Sequence, residues 1–264
     1  MDLQLNGKTA LVSGSSLGIG FATAQALAAE GVTVCLNSRR QDKVDEAIAK
    51  IRAVLPQAKL KGIAADLGSA EGAALLIKEL PAVDILINNV GIFEPKAFED
   101  ITDEDWLRFF AVNVMSGIRL SRAYLPSMRE KNWGRIIFIS SESGVQIPKE
   151  MIHYGMTKTA QLSIARGLAE ACAGTKITVN SVLPGPTASD GVVDFVDNMA
   201  THTGKDKTTI EKEFFETVRP SSLIKRFATT DEVASLVTYL CSPLAAATTG
   251  SAMRVDGGVV RAIV

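Results

Sequence analysis

Cysteine and histidine are scarce in this chain. Cys35, Cys172 and Cys241 lie far apart, and His153 and His202 have no second histidine at ligand spacing. So few groups, so scattered, argue against a disulfide framework and a structural zinc site, and no metal mechanism is expected. Aromatic residues are only 6% of the chain against 47% hydrophobic residues, so the core must be mostly aliphatic. No apolar run approaches the ~20 residues that span a membrane. Charge of one sign is missing too: 28 Lys and Arg face 29 Asp and Glu, with no basic stripe of the kind nucleic acid demands. The opening MDLQLNGKTALVSG lacks the charged start and long apolar middle of a signal peptide. The expected compartment is the cytoplasm, without nucleic-acid or membrane partners.

What the chain does have is a rhythm. Aliphatic, β-branched runs recur at 9–14, 32–38, 60–67, 84–91, 135–141, 177–185 and 251–258. Between the first several lie helix-like stretches, among them FATAQALAAEG, QDKVDEAIAKIRAV, AEGAALLIKEL, TDEDWLRFFAV and YGMTKTAQLSIARGLAEACAG. Strands alternating with helices imply right-handed crossovers and a parallel sheet covered on both faces. Near-continuous apolar runs suit strands buried on both sides. The 264 residues read as one α/β domain, 1–264, with about seven strands and no repeat or linker. The rhythm breaks at 186–225, a charged, Thr-rich, helix-like insertion; a connection so long reads as a substrate lid, or else as a surface excursion. Its Val192, Val193, Phe195, Val196, Phe214 and Phe215 suggest a partly apolar pocket, or simple packing of the insertion on the core.

Two stretches carry chemistry. SGSSLGIG at 13–20 follows the first strand and places Gly14, Gly18 and Gly20 before a helix. Glycines there let backbone amides approach a phosphate, and the helix N-terminus adds partial positive charge. Farther on, HYGMTK sets Tyr154 and Lys158 one helical turn apart on one face. This is an ordinary polar stripe, or a phenol whose pKa a neighbouring ammonium lowers.

The glycine turn, NNVG at 88–91, Ser141, YGMTK thirteen residues later and PGPT at 184–187 occur in an order that resembles the classical short-chain dehydrogenase/reductase family, from GKTALVSG to the terminal VDGG. Two departures are Ser13, where the family usually has threonine, and Val90, which replaces the alanine of NNAG. The resemblance implies a Rossmann-type doubly wound sheet and hydride transfer between a carbonyl or alcohol substrate and NAD(P)(H). It implies a catalytic tetrad of Asn113, Ser141, Tyr154 and Lys158. Tyr154 is then the general acid and base. Ser141, favoured over Ser140, orients the substrate oxygen. Asn113 holds a water that relays protons to Lys158, and Lys158 also contacts the nicotinamide ribose. Cofactor contacts are implied for Gly14, Ser16, Gly18, Ile19 and Gly20 in the first turn. They are implied as well for Ser38, Arg39, Asp66, Leu67, Asn89, Gly91, Pro184, Gly185 and Thr187. Asp66 would accept from the adenine amino group, or cap the helix that starts near Ser69.

In CLNSRRQDK at 35–43, Ser38 or Asn37 stands where an enzyme using NAD(H) carries an acidic residue, and Arg39 and Arg40 follow. That favours NADP(H) over NAD(H), because paired arginine donors suit a 2′-phosphate. The other reading is a solvated cap on the next helix, and Leu17 offers no second basic residue. Gln146 and Ser143 are weak candidates for substrate contact, and His153 is expected to decorate the cleft rim without a role. The family also implies a homotetramer paired through helices near 103–130 and 154–173, to which the tail VVRAIV could add. A catalytically silent cofactor sensor or scaffold is the alternative function; the intact tetrad argues against it.

Overall fold

The structure, a computed structural model, describes residues 1–263, and the backbone alone for 194–199 and 202. All seven expected strands form: β1 (Thr9–Val12), β2 (Thr33–Ser38), β3 (Leu60–Ala64), β4 (Ile85–Asn88), β5 (Gly134–Ile139), β6 (Ile177–Pro184) and β7 (Ala252–Val255). They make one sheet in the order β3-β2-β1-β4-β5-β6-β7, every pairing parallel. The order reverses between β1 and β4. A crevice opens there beyond the carboxyl ends of the strands, where doubly wound sheets bind ligands.

Six of the helices bury apolar residues against the sheet. In α2 (Gln41–Val54), Val44, Ala47 and Ile51 are buried at helical spacing. With α1 (Gly18–Ala29) and α9 (Thr230–Cys241), α2 covers one face. The other face carries α3 (Ala70–Glu79), α5 (Ser116–Glu130) and α6 (Ile152–Ala171). Capping boxes at Thr102/Asp105 and Thr229/Glu232 start α4 (Asp103–Phe110) and α9, satisfying amides that a helix start leaves without partners.

The α4–α5 stretch is not one regular helix. Ala111–Met115 is a π-helical turn, and Asn113 sits inside it, so the asparagine occupies a local irregularity instead of opposing a regular helix. The insertion 186–225 holds α7 (Asp190–Thr203), α8 (Lys207–Glu213) and a second π turn, Phe214–Val218. Phe215 is buried and clusters with Phe214 and Phe227, so these rings are packing residues. The side chains of Phe195, Val196 and His202 lie outside the described residues, as does Val264. The C-terminal tail is only partly free for an interface: Val259 and Val260 are buried within the chain, whereas Ile263 is exposed.

Candidate active site

The first turn begins with β1. Ser13 Oγ donates to Ile87 O at 3.1 Å and accepts from Asn89 N at 2.9 Å. Asn89 Nδ2 donates to Ser13 O and Gly14 O, so Asn89 ties β4 to the glycine turn. Gly14 and Gly18 have φ of +60°, which glycine adopts without strain. A side chain at Gly20 would meet Gly14 O at 2.5 Å, so the turn packs against its own helix there. Helix α1 has no side-chain cap of its own at Leu17; instead Gly18 N donates to the carboxylate of Asp190, 172 positions away. An anion already sits where amides and dipole favour one, and the donor set fits a cofactor phosphate.

At the end of β2, Asn37 is fully buried. Its Nδ2 donates to Ile63 O and Ala65 O, and its Oδ1 accepts from Gly14 N. That removes Asn37 as the ribose-facing alternative and leaves Ser38, whose Oγ meets Ser16 Oγ at 3.3 Å. Arg40 pairs with Asp42 at the start of α2, and its side chain does not cap the helix. Arg39 is exposed and has no partner among the described residues. Asp66 Oδ1 accepts from Gly68 N, while Ser69 caps α3 through Gly72 N; Asp66 therefore shapes the turn before the helix and is not its cap. Leu67 is buried beneath it.

The groups expected to act on substrate gather where β4 and β5 end. Gly91 lies against them: a Cβ there would be 3.4 Å from Lys158 Nζ and 3.6 Å from Asn113 Oδ1. Asn113 accepts from Ile92 N at 2.7 Å and donates to Ile92 O and Thr157 Oγ1. Its main-chain carbonyl accepts from Gln161 Nε2 at 2.6 Å, and Gln161 Oε1 faces Lys158 Nζ at 3.4 Å. Asn113, expected to hold a relay water, is thus bridged through its main-chain carbonyl to Lys158 by a glutamine amide. Ser140 Oγ donates to Lys158 O, a structural tie that leaves Ser141 as the serine facing Tyr154.

The electrostatics depart from the spacing-based expectation. Burial drives the Tyr154 phenol above its ordinary value, and the Glu142 charge adds to this; a hydrogen bond with Ser141 and the Arg219 charge pull weakly the other way. The phenol is held neutral, not acidified. Burial pushes the Lys158 ammonium down to about 8, with Glu142 opposing.

Two placements were not legible in the sequence. Glu142, 5% exposed, accepts from Ser141 Oγ and, at 3.1 Å, from Arg219 Nε at the end of the insertion. Arg219 also donates to Glu150 at 3.0 Å. Only the positioning of Glu142 beside Ser141 could have flagged it. His153 is not on the rim: it is fully buried against Phe109 and Trp106, and among the described residues neither ring nitrogen has a partner. Ser143 is buried and donates its amide to Ser141 Oγ, so it supports the serine, whereas Gln146 is exposed. Thr187 Oγ1 donates to Gly185 O, and Gly185 packs directly on the Asp256 carbonyl, below Pro184 at the end of β6. Among the described residues no cluster of His, Cys, Asp or Glu could hold a metal, and no helix is long and apolar enough to cross a membrane.

Comparison with known proteins agrees with this arrangement. The enoyl-(acyl carrier protein) reductase family model matches residues 14–260. The chain is 48% identical to an uncharacterized oxidoreductase, YvaG, of Bacillus subtilis, over 100% of both chains. It is 32% identical to a D-beta-hydroxybutyrate dehydrogenase of Cupriavidus necator, over 97% of this chain and 99% of the other. The crystal structure of L-sorbose reductase from Gluconobacter frateurii, complexed with NADPH and L-sorbose, superposes with a TM-score of 0.94 at 30% identity over 100% of both chains. With the sheet order, the glycine turn and the serine, tyrosine and lysine brought to one cleft, these likenesses identify the chain as an oxidoreductase of the classical short-chain dehydrogenase/reductase family.

Proposed function

We propose that the chain is an NADP(H)-preferring reductase that interconverts a ketone or aldehyde with its alcohol, with 186–225 as the substrate lid. The observation that carries this reading is the Tyr154 hydroxyl beside Ser141, with Lys158 Nζ 5.6 Å from the Tyr154 ring centre and Asn113 and Gly91 next to Lys158. When bound, the nicotinamide supplies or receives a hydride. Hydride addition turns a carbonyl oxygen into an alkoxide, which needs a proton from a positioned acid. Tyr154 gives that proton, and Ser141 holds the oxygen and stabilises its developing charge. Lys158, anchored by Ile139 O at 2.8 Å, offers its remaining donors toward the ribose side of the cleft. Asn113 and Gln161 hold Lys158 in place.

The preference for NADP(H) rests on Ser38, which carries no charge, and on the unengaged Arg39. The glycine turn, Asp66, Leu67, Asn89 and the Pro184–Thr187 turn line the rest of the cofactor path. That the similar L-sorbose reductase is complexed with NADPH supports the preference. Exposed Leu107 and Phe110 on α4, and a groove lined by Ile118, Leu125, Ile164 and Leu168 between α5 and α6, suit pairing into a homotetramer. Consumption of NADPH on a panel of ketones and aldehydes tests the activity. Turnover of none of them would overturn it.

A further inference from the structure

We propose that the buried Glu142–Arg219 pair is a subsite for a hydroxyl on the carbon next to the reacting carbonyl, so that the substrate is a neutral α-hydroxy ketone. This rests on the reading of the cleft as a carbonyl oxidoreductase site. Glu142 and Arg219 are brought together across 77 positions, from the turn after β5 and from the end of the lid. Their side chains are 7% and 11% exposed. Taking such a pair out of water costs about as much as its attraction returns, so its burial is not explained by stability.

The hydrogen bonds around Ser141 point to the ligand. A serine hydroxyl has one proton to donate. Here it goes to Glu142 Oε2. To donate to a substrate carbonyl oxygen, Ser141 must release that carboxylate oxygen. A plain ketone takes the proton and returns nothing, which leaves a buried carboxylate oxygen short of a partner. A ketone with an adjacent hydroxyl reaches the vacated oxygen and donates to it, because Glu142 Oε2 lies within hydrogen-bond distance of Ser141 Oγ. The exchange leaves every group satisfied.

The guanidinium completes the subsite. Arg219 Nε donates to Glu142, and Nη1 donates to Glu150 Oε1 and Val218 O. Among the described residues Nη2 has no partner, so a donor and a vacated acceptor lie together. A hydroxyl, which both donates and accepts, complements them. Glu142 and Glu150 give two negative charges to the single positive charge of Arg219. That excess disfavours a carboxylate or phosphate on the substrate at this point.

Acetone, hydroxyacetone and pyruvate separate the cases, with NADPH as reductant. Hydroxyacetone should exceed acetone in kcat/KM by roughly tenfold to a hundredfold, the range for a hydrogen bond to a charged group, and pyruvate should be the slowest. Arg219→Met, and the double change Glu142→Leu with Arg219→Met that leaves no buried charge unpaired and only the partly exposed Glu150 without its partner, should bring the hydroxyacetone-to-acetone ratio toward one. This ratio is internal to each variant, so a partly unfolded preparation does not alter it. A wild-type ratio near one, or a wild-type ratio kept by the double variant, overturns the subsite alone. Reduction of none of the three by the wild type overturns the oxidoreductase reading and the subsite with it.

Discussion

Lys158 Nζ lies 5.6 Å from the centre of the Tyr154 ring, one turn along α6, and donates to the carbonyl of Ile139. At this separation the ammonium does not overcome desolvation, and the phenol is shifted upward from its ordinary value of 10.0. In the proposed reaction, alcohol oxidation uses the Tyr154 phenolate as base. A raised value keeps the phenolate scarce until strongly alkaline pH, so oxidation should climb throughout the range up to pH 10 without a plateau. Reduction uses the phenol and should show no tyrosine titration near neutrality. Rates of oxidation against pH decide the matter; a plateau near pH 7 would show that the phenolate forms far more easily.

Tyr154→Phe keeps the ring that meets Phe93 edge-on at 6.4 Å between centroids and removes only the hydroxyl. Turnover should fall by about 10²–10⁴-fold, the usual worth of a general acid, with cofactor affinity nearly unchanged. Retention of more than about a tenth of wild-type turnover would remove Tyr154 as proton donor.

Lys158 carries a separate pH dependence. Its value drops from 10.5 to about 8, so the site holds a positive charge below pH 8 and loses it as pH rises through that point. Affinity for an anionic cofactor should weaken across this window, and Lys158→Met should weaken binding at lower pH and abolish the step. The effect on folding has the opposite sense. Between about 8 and 10.5 the unfolded chain binds more protons at this lysine than the folded one, so its contribution to stability rises with pH. Cofactor titrations at pH 7 and 9 on both proteins check the binding; an unchanged step in the variant would assign it elsewhere.

The sheet was legible because strands buried on both faces leave continuous aliphatic runs, as in ILIN of β4 and GRIIFI of β5. The serine, tyrosine and lysine were legible because they occur in a fixed order on adjoining elements. What escaped were contacts that no local pattern encodes. Glu142 meets Arg219 across 77 positions, and Gly18 meets Asp190 across 172. The Tyr154–Lys158 spacing correctly put both on one face, yet spacing says nothing of desolvation, and the expected sign of the phenol's shift was wrong. His153 looked peripheral because it neighbours Tyr154 in sequence; on the helix it points to the α4 side, into Phe109 and Trp106.

Oligomer formation gives a mass test. Leu107 is 70% exposed and Phe110 39% exposed on α4, and the groove between α5 and α6 is apolar. Light scattering at micromolar concentration should return about four times the 28.1 kDa of one chain. A mass of 28.1 kDa would leave these surfaces without a partner copy. Leu107→Glu should shift the protein toward smaller species, since a charge opposes burial in an interface core.

On the proposed reading, cofactor choice is decided at the end of β2. An acidic residue there accepts from both ribose hydroxyls and repels a 2′-phosphate. Ser38 is neutral, and its hydroxyl leans on Ser16 of the glycine turn. Asn37 cannot serve, because it is buried under Ile63 O and Ala65 O. Of the two arginines, Arg40 is engaged with Asp42 at the start of α2, and Arg39 remains to fork onto a phosphate through charge-assisted bonds. The wild type should therefore show a higher kcat/KM with NADPH than with NADH. Arg39→Ala should lower the NADPH value by roughly tenfold to a hundredfold, the worth of hydrogen bonds to a charged group, and leave NADH nearly unaffected. Arg40→Ala should change neither value much, since its partner is Asp42. Ser38→Asp combined with Arg39→Ala should reverse the preference. Equal use of both cofactors by the wild type, or an unmoved preference in the double variant, would place the discrimination outside this strand end.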